Sequence, residues 1–402
     1  MLDRTRVPAL VLSIALGSPA FAAGPAAGAA PPATGVRAAQ DDATSATLPF
    51  MRGINYCSYW NNDYLNEYSP RSIQKIRETG NNWISILVTW YQADEKAATI
   101  YQDANRTPSD AAVEKAIADA RNQGLKISLK PHIDLDNGNW RAGIGAKDYV
   151  SDADFDAFFT AWFASYRTFI LHYADMARKH NVEMLVIGTE YNSIMERDNG
   201  KTIPAWLSCI GEIRNSYSGS LTYAADWSEW KDASAPGQKM FWKDFWHALD
   251  YIGIDAYYPL SPADTATPDA LIQGWQEPLA ILEQISAVYG RPIIFTEIGY
   301  KSMEKCYLSP GDYQLDYPVS EECQRDCFQA AYRALAGKDW LAGLFWWGWK
   351  PFLRSDMANP ENPSWVTDKY NDYLKDYTPE GKLAETILRT ENAVSGNRWS
   401  CR

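Results

Sequence analysis

Histidine is scarce in this 402-residue chain: four residues, at 132, 172, 180 and 247, with no zinc-ligand spacing among them. Neither a phosphate-binding P-loop nor a G-x-G-x-x-G turn occurs, so a nucleotide cofactor is not expected. No metal or other cofactor is expected either. Basic charge is in deficit, 38 Lys and Arg against 50 Asp and Glu, a formal net charge of -12. That argues against a basic surface for nucleic acid or an anionic membrane. Beyond the N-terminus no apolar run is long enough to span a bilayer. Cysteines are few, at 57, 209, 306, 323, 327 and 401, but their even number permits disulfides in an exported chain. Four of them fall late and could pin a loop; their connectivity is not readable.

What the chain has in excess is aromatic rings, 17 Trp, 24 Tyr and 13 Phe. Packing alone seldom needs so many indoles, whereas flat rings stack on the C–H faces of sugars.

Residues 1–22 read as a secretory signal peptide. Arg4 and Arg6 precede the apolar run Val7–Leu16, and Ala20-Phe21-Ala22 gives a small-x-small cleavage pattern. Residues 23–47 are rich in Ala, Gly and Pro and read as a disordered linker, leaving 48–402 as the folded domain. A secreted monomer, extracellular or periplasmic, is expected.

Eight short β-rich runs recur: Met51–Tyr59, Trp83–Tyr91, Lys126–Ile133, Glu183–Glu190, Leu221–Trp227, Tyr251–Tyr258, Pro292–Gly299 and Ala342–Trp349. Between them lie helical patterns at Pro70–Thr79, Ser109–Gln123, Asp152–Lys179, Pro204–Tyr217, Asp269–Tyr289 and Glu321–Ala336, with Lys382–Ala393 as a last helix. Gly80, Gly124, Gly219, Gly290 and Gly337 follow them as candidate left-handed caps. Eight strand–helix alternations predict an α/β fold, a single (β/α)8 TIM barrel; the alternative is a doubly wound open sheet with a long insertion. In a barrel the chemistry sits at the C-terminal strand ends.

Two apolar strands end in glutamate, Glu190 on the fourth and Glu297 on the seventh. A carboxylate closing a buried strand is costly unless paired. A single one is as readily a structural ion pair as a catalytic group; two on opposite sides of a barrel mouth can converge. Glycoside hydrolysis needs such a pair, one acid and one anion. Asp255 and Tyr257 share a face on strand six and are expected to bind substrate, and a Tyr hydroxyl there could orient the nucleophilic carboxylate. Lys130 and His132 end strand three and could bind sugar, although a lone His is more often structural. Trp60, Trp90, Trp140 with Arg141, Trp227, Trp230 and Trp347 fall at strand ends. Trp90, Trp140, Trp227 and Trp347 are expected to line a groove, and about half of such rings to be packing.

These pieces resemble glycoside hydrolase family 113, the β-mannanase family, within the retaining barrels that carry catalytic Glu on strands four and seven. The matching stretches are Asn82-Trp83 with Thr89-Trp90-Tyr91-Gln92, Lys130-Pro131-His132, Trp140-Arg141, Gly188-Thr189-Glu190, Asp255-Ala256-Tyr257-Tyr258-Pro259, Phe295-Thr296-Glu297-Ile298-Gly299-Tyr300 and Trp346-Trp347-Gly348-Trp349. The tail Asp376–Lys382 with Ala384-Glu385 belongs to the same likeness. The resemblance implies Glu190 as acid/base, Glu297 as nucleophile, Tyr257 as its orienting group and Trp347 beneath the cleaved sugar. Thr189 departs from the wider superfamily, where Asn often binds the sugar 2-hydroxyl; Asn192 or His132 could replace that contact. The expected partner is a polysaccharide or oligosaccharide, with no nucleic acid and no membrane, and the expected reaction is retaining cleavage of β-1,4-mannosidic links. Another β-glycan as substrate, or a barrel that binds polysaccharide without cleaving it, are the alternatives.

Overall fold

The computed structural model describes residues 49–197, 200–230 and 243–394. The expected signal peptide, the linker, Cys401 and the side chain of Trp230 lie outside the described residues.

The apolar runs become eight parallel strands. They are β1 (Met51–Tyr56), β2 (Trp83–Gln92), β3 (Lys126–Leu135), β4 (Met184–Thr189), β5 (Ser220–Asp226), β6 (Ile252–Asp255), β7 (Ile293–Ile298) and β8 (Leu341–Trp349). Each pairs with its sequence neighbour and β8 pairs with β1, which closes the barrel. The open-sheet alternative is thereby excluded. Strands buried on both faces need apolar residues at nearly every position, as β2 (WISILVTWYQ) and β4 (MLVIGT) supply.

The period of two then sorts side chains into two layers. Met51, Trp83 and Met184, the first residues of their strands, meet Ile294, Ala342 and Phe345 in a plug inside the barrel. Ile84, Ile86 and Val88 join the larger core between strands and helices.

The helices fill the crossovers. In chain order they are α1 (Ser69–Glu78), α2 (Asp110–Asn122), α3 (Phe155–Lys179), α4 (Asn192–Glu196), α5 (Thr202–Ser216), α6 (Lys243–His247), α7 (Pro268–Gly274), α8 (Gln276–Tyr289) and α9 (Glu321–Leu335). After β8 come α10 (Arg354–Met357), α11 (Ser364–Thr367), α12 (Tyr370–Lys375) and α13 (Leu383–Ala393). Helix α3 shows why aromatics are so abundant. Phe155, Phe159, Trp162, Tyr166, Phe169 and Tyr173 recur every three or four residues and are buried. Each such ring contributes about 2–3 kcal/mol by leaving water. Among the described helices none is long and apolar enough to cross a membrane.

Two expectations change in detail. The single helix expected over Asp269–Tyr289 is broken at Trp275 into α7 and α8. Pro278 has no N–H to donate to the Gly274 carbonyl, so the helix cannot run through. Gly80, Gly124, Gly290 and Gly337 are left-handed, but Gly219 is not. Gly219 is required for space instead, since a Cβ there would lie 2.2 Å from the Tyr217 hydroxyl.

Cys57, Cys209, Cys306, Cys323 and Cys327 are free thiols. Cys306, in the loop after β7, lies 3.2 Å from Cys323 and 3.7 Å from Cys327, both on α9. That long loop, 301–320, runs over the mouth of the barrel. A Cβ on Gly311 would lie 3.2 Å from Tyr257 Cβ and 4.0 Å from Trp227 Nε1, and the Tyr313 hydroxyl donates to the Gly138 carbonyl at 3.3 Å. The loop therefore passes from β7 over the ends of β6 and β5 to the loop after β3.

Candidate active site

Toward the C-terminal ends of β3, β6 and β7 three buried ionisable groups are packed together. Lys130 Nζ donates to Asp255 Oδ1 at 3.0 Å and to Glu297 Oε1. The Lys130 and Asp255 side chains are fully buried and that of Glu297 is 6% exposed. Burial raises the Asp255 and Glu297 carboxyls above their ordinary range, Lys130 opposes that rise, and the charge on Glu190 adds to it. Burial alone would lower the Lys130 ammonium, but its two carboxylate partners hold it up. The other oxygen of Glu297 accepts from the Tyr257 hydroxyl at 2.7 Å. Asp255 also accepts from Thr296 Oγ1 at 2.7 Å, which fixes the far side of the cluster.

His132 stands two residues beyond Lys130 on the same face of β3. Its ring lies parallel to Trp347, with centroids 6.1 Å apart and planes 4° apart, and its Nε2 is 3.7 Å from Glu297. Burial, together with the Arg141 and Lys130 charges, pushes the imidazole well below its usual value, so it is neutral. Trp347 follows Trp346 on β8. Trp346 turns outward and stacks on Phe328 of α9 at 3.7 Å, so period two aims Trp347 into the mouth.

Across the mouth, Glu190 follows β4 with a left-handed φ of 55°. A non-glycine residue pays for that backbone only where its surroundings hold it. Here they do: Glu190 Oε2 accepts from Trp140 Nε1 and Arg141 Nη1, each at 2.9 Å. Arg141, in the 3-10 turn Arg141–Gly143, is itself pinned by Asp134 and by the Ile133 carbonyl at 2.9 Å. With its amide nitrogen turned inward, Asn192 donates to the Glu190 carbonyl at 3.2 Å and to Glu229 Oε1 at 3.1 Å. Thr189 is fully buried, with its Oγ1 unpaired.

The structure thus brings Glu190, Glu297, Tyr257, Asp255, Lys130, His132, Trp140, Arg141, Trp347 and Asn192 to one end of the barrel. Three expectations need correction. Lys130 and Asp255 were expected to touch sugar, yet their side chains have no exposed surface and instead support Glu297. Trp90 was expected in the groove, yet it faces away. Its Nε1 donates to the Tyr173 hydroxyl at 2.7 Å, and its ring packs on Phe169 and His172 beneath α3. Trp227 does reach the mouth, but under the 301–320 loop and edge-on to Tyr258 at 5.5 Å.

Asp226 is a site residue that the sequence reading passed over. It ends β5 as Glu190 follows β4, so the strand-end carboxylate argument applied to it equally. Burial, then the Glu190 charge, pushes its carboxyl up to about 6, against an ordinary value near 3.8. The folded protein therefore binds more protons than the unfolded chain between those values. The sign follows: this contribution to stability is full at low pH and lost as pH rises through about 6. Asp226→Asn, which cannot ionise, is expected to remove that loss. Its melting temperature relative to wild type should be higher at pH 7 than at pH 4, by the equivalent of at most about 3 kcal/mol. A difference independent of pH would show that Asp226 titrates normally.

Among curated proteins no match is found. Among solved structures, a β-1,4-mannanase of glycoside hydrolase family 113 in complex form is 25% identical, covering 87% of this chain and 100% of its own, with a TM-score of 0.70. The family 113 β-mannanase of Alicyclobacillus acidocaldarius, solved with ManMIm, is 22% identical over 86% of this chain and 98% of its own, with a TM-score of 0.68. A family 5 mannosidase from Rhizomucor miehei shares the fold more distantly, at 12% identity over 86% of this chain and 93% of its own, with a TM-score of 0.55. The family description that matches residues 57–369 is Glycoside Hydrolase Family 113, and it takes in every strand-end residue of the site described above. The chain belongs to glycoside hydrolase family 113.

Proposed function

We propose that this glycoside hydrolase cleaves β-1,4-mannosidic links with retention of configuration, with Glu297 as nucleophile and Glu190 as acid/base. The observation that supports the assignment is a pair of buried carboxylates at one barrel mouth, each accepting from one cationic and one neutral donor, with Glu297 the member bound to a tyrosine hydroxyl. Glu297 receives hydrogen bonds from a buried ammonium and from a tyrosine hydroxyl. Those donors stabilise an anion and leave it aimed into the mouth. Glu190 is held by an indole N–H and a guanidinium at the rim, beside the exposed Trp140.

In the first step Glu297 attacks the anomeric carbon while Glu190 gives its proton to the departing glycosidic oxygen. The bond to the leaving sugar breaks as the ester to Glu297 forms. In the second step Glu190 takes a proton from water, the oxygen attacks the same carbon, and Glu297 leaves as carboxylate. Two inversions give net retention. His132, uncharged and parallel to Trp347, packs beside the nucleophile without adding charge to it.

Mannan as the substrate is supported by the β-1,4-mannanases of the same family that share the fold. The test is reducing-sugar release from β-1,4-mannan, cellulose, xylan and β-1,4-galactan. Mannan should be preferred by at least about tenfold in kcat/KM. Turnover of another glycan with mannan untouched would transfer the same mechanism to that substrate. Binding without turnover would leave a polysaccharide-binding barrel. Residues 1–22 would direct export of a monomer, and the N-terminal sequence of protein recovered outside the cytoplasm checks this.

A further inference from the structure

The geometry points to an outer sugar-binding subsite on the glycone side of the catalytic pair, in which the exposed indole of Trp365 stacks on a unit of the mannan chain and Trp60 bridges it to the cleft. This rests on the mannan reading above.

The barrel mouth is not equally open all round. The 301–320 loop covers the ends of β5 and β6 and reaches Gly138. The sector between β8 and β1 is built instead from the chain after β1 and the long segment after β8. There the chain after β1 exposes Tyr59 and Trp60, 43% and 50% of their surface, and the chain after β8 exposes Trp365, 46%. Since β1 and β8 pair directly, their C-terminal loops are neighbours on the catalytic face.

Between them lies a cavity of about 500 Å³ lined by Asn62, Asp63, Leu65, Asn66 and Trp365. An exposed ring flanked by two amides and a carboxylate suits a pyranose, which offers C–H groups on a face and hydroxyls round its edge.

The indole is built to present a face. Tyr68 and Phe352 pack against Trp365 edge-on, each with centroids 6.2 Å away, so its position is fixed while much of its surface stays in water. Lys369, in the turn between α11, which carries Trp365, and α12, lies 6.0 Å from the Trp60 ring. Tyr59 continues the track inward, within electrostatic reach of Glu297, Asp134 and Arg141. Tyr59, Trp60 and Trp365 are thus three exposed rings on the β8–β1 side of the mouth.

Direction follows from the chemistry. Glu190 protonates the leaving oxygen, so the leaving sugar lies on the β4 side. The unit bonded to Glu297 lies over Trp347 of β8, and units beyond it continue toward β8 and β1. Trp365 would thus hold the non-reducing end of the chain.

The test compares wild type, Trp365→Ala and Trp60→Ala on β-1,4-manno-oligosaccharides from two to six units and on polymer, with cleavage positions read from reducing-end 18O label. Trp365→Ala should lower kcat/KM about tenfold on the longest oligosaccharides and the polymer, and leave the shortest unchanged. The label should show fewer products retaining a long non-reducing fragment. Equal activity at every length, or equal loss at every length, would overturn the subsite while leaving the mannanase reading intact. A wild type inert on all manno-oligosaccharides would overturn the mannanase reading itself, and with it the occupant named here.

Discussion

Glu297→Ala is expected to abolish mannan turnover, by about four orders of magnitude or more, because no other group can form the glycosyl ester. Glu190→Ala should cost about 10²–10⁴-fold on mannan, the usual worth of a positioned proton donor. The two losses differ in kind. A mannoside with an acidic leaving group, such as dinitrophenol, needs little protonation. Glu190→Ala should therefore form its ester nearly normally and stall afterwards, giving a burst, whereas Glu297→Ala should give none. Azide added to Glu190→Ala should attack the ester and yield a β-mannosyl azide. Added to Glu297→Ala it should attack the substrate directly and yield the α product. Product configuration by NMR thus assigns each role separately: α azide from Glu190→Ala with β azide from Glu297→Ala would reverse the assignment, and undiminished activity in either variant would remove it.

Lys130→Met should have the next largest effect, though Lys130 touches no solvent. It leaves two carboxyls facing each other in a dry site with no cation between them. Removing one partner of a buried ion pair costs about 3–5 kcal/mol unless protons are taken up instead. Protonation is the cheaper escape. Burial already raises Glu297 and Lys130 opposes that rise, so its loss moves the carboxyl further up. The nucleophile must be ionised, so the acid limb of the kcat/KM profile should shift to higher pH. At neutral pH kcat should fall about a hundredfold or more. Lys130→Arg should recover part of the profile, if the larger fork can be housed. A Met variant with a lower melting temperature but an unmoved acid limb would make Lys130 a folding element alone.

Much of this was legible in the sequence, for physical reasons. Strands buried on both faces are apolar at most positions, so eight short runs stood out. Their eightfold alternation with helices left few ways to close. Helix length was less legible, because Pro278 breaks a hydrogen bond that periodicity alone does not count.

At the site, Glu190 and Glu297 were visible because a carboxylate ending an apolar strand is anomalous. Asp226 met the same criterion and was overlooked beside Trp227. Trp90 was misplaced although the information was present: it shares parity on β2 with Ile84, Ile86 and Val88, which pack among the helices. The same parity separates Trp346 from Trp347. The depth of Lys130 and Asp255 was not legible, since sequence places a residue at a strand end but not on which side of a carboxylate it lies. Among described tryptophans, 83, 162, 206, 246, 275, 340, 346 and 349 are buried, so most of the aromatic excess is packing.

The pairing of β1 with β8 has a consequence for how the chain acquires its shape. Gly53 lies beside Phe345, residues that are almost a whole domain apart in sequence, and α13 completes the seam when Asn392 donates to the Thr79 carbonyl at 3.0 Å. A polypeptide emerging from the ribosome cannot make either contact until its last elements are synthesised. Until then β1 keeps an unpaired edge, a template for unwanted association. Barrel closure must therefore be a late event, and the order in which the chain is made sets the order in which its edges are paired.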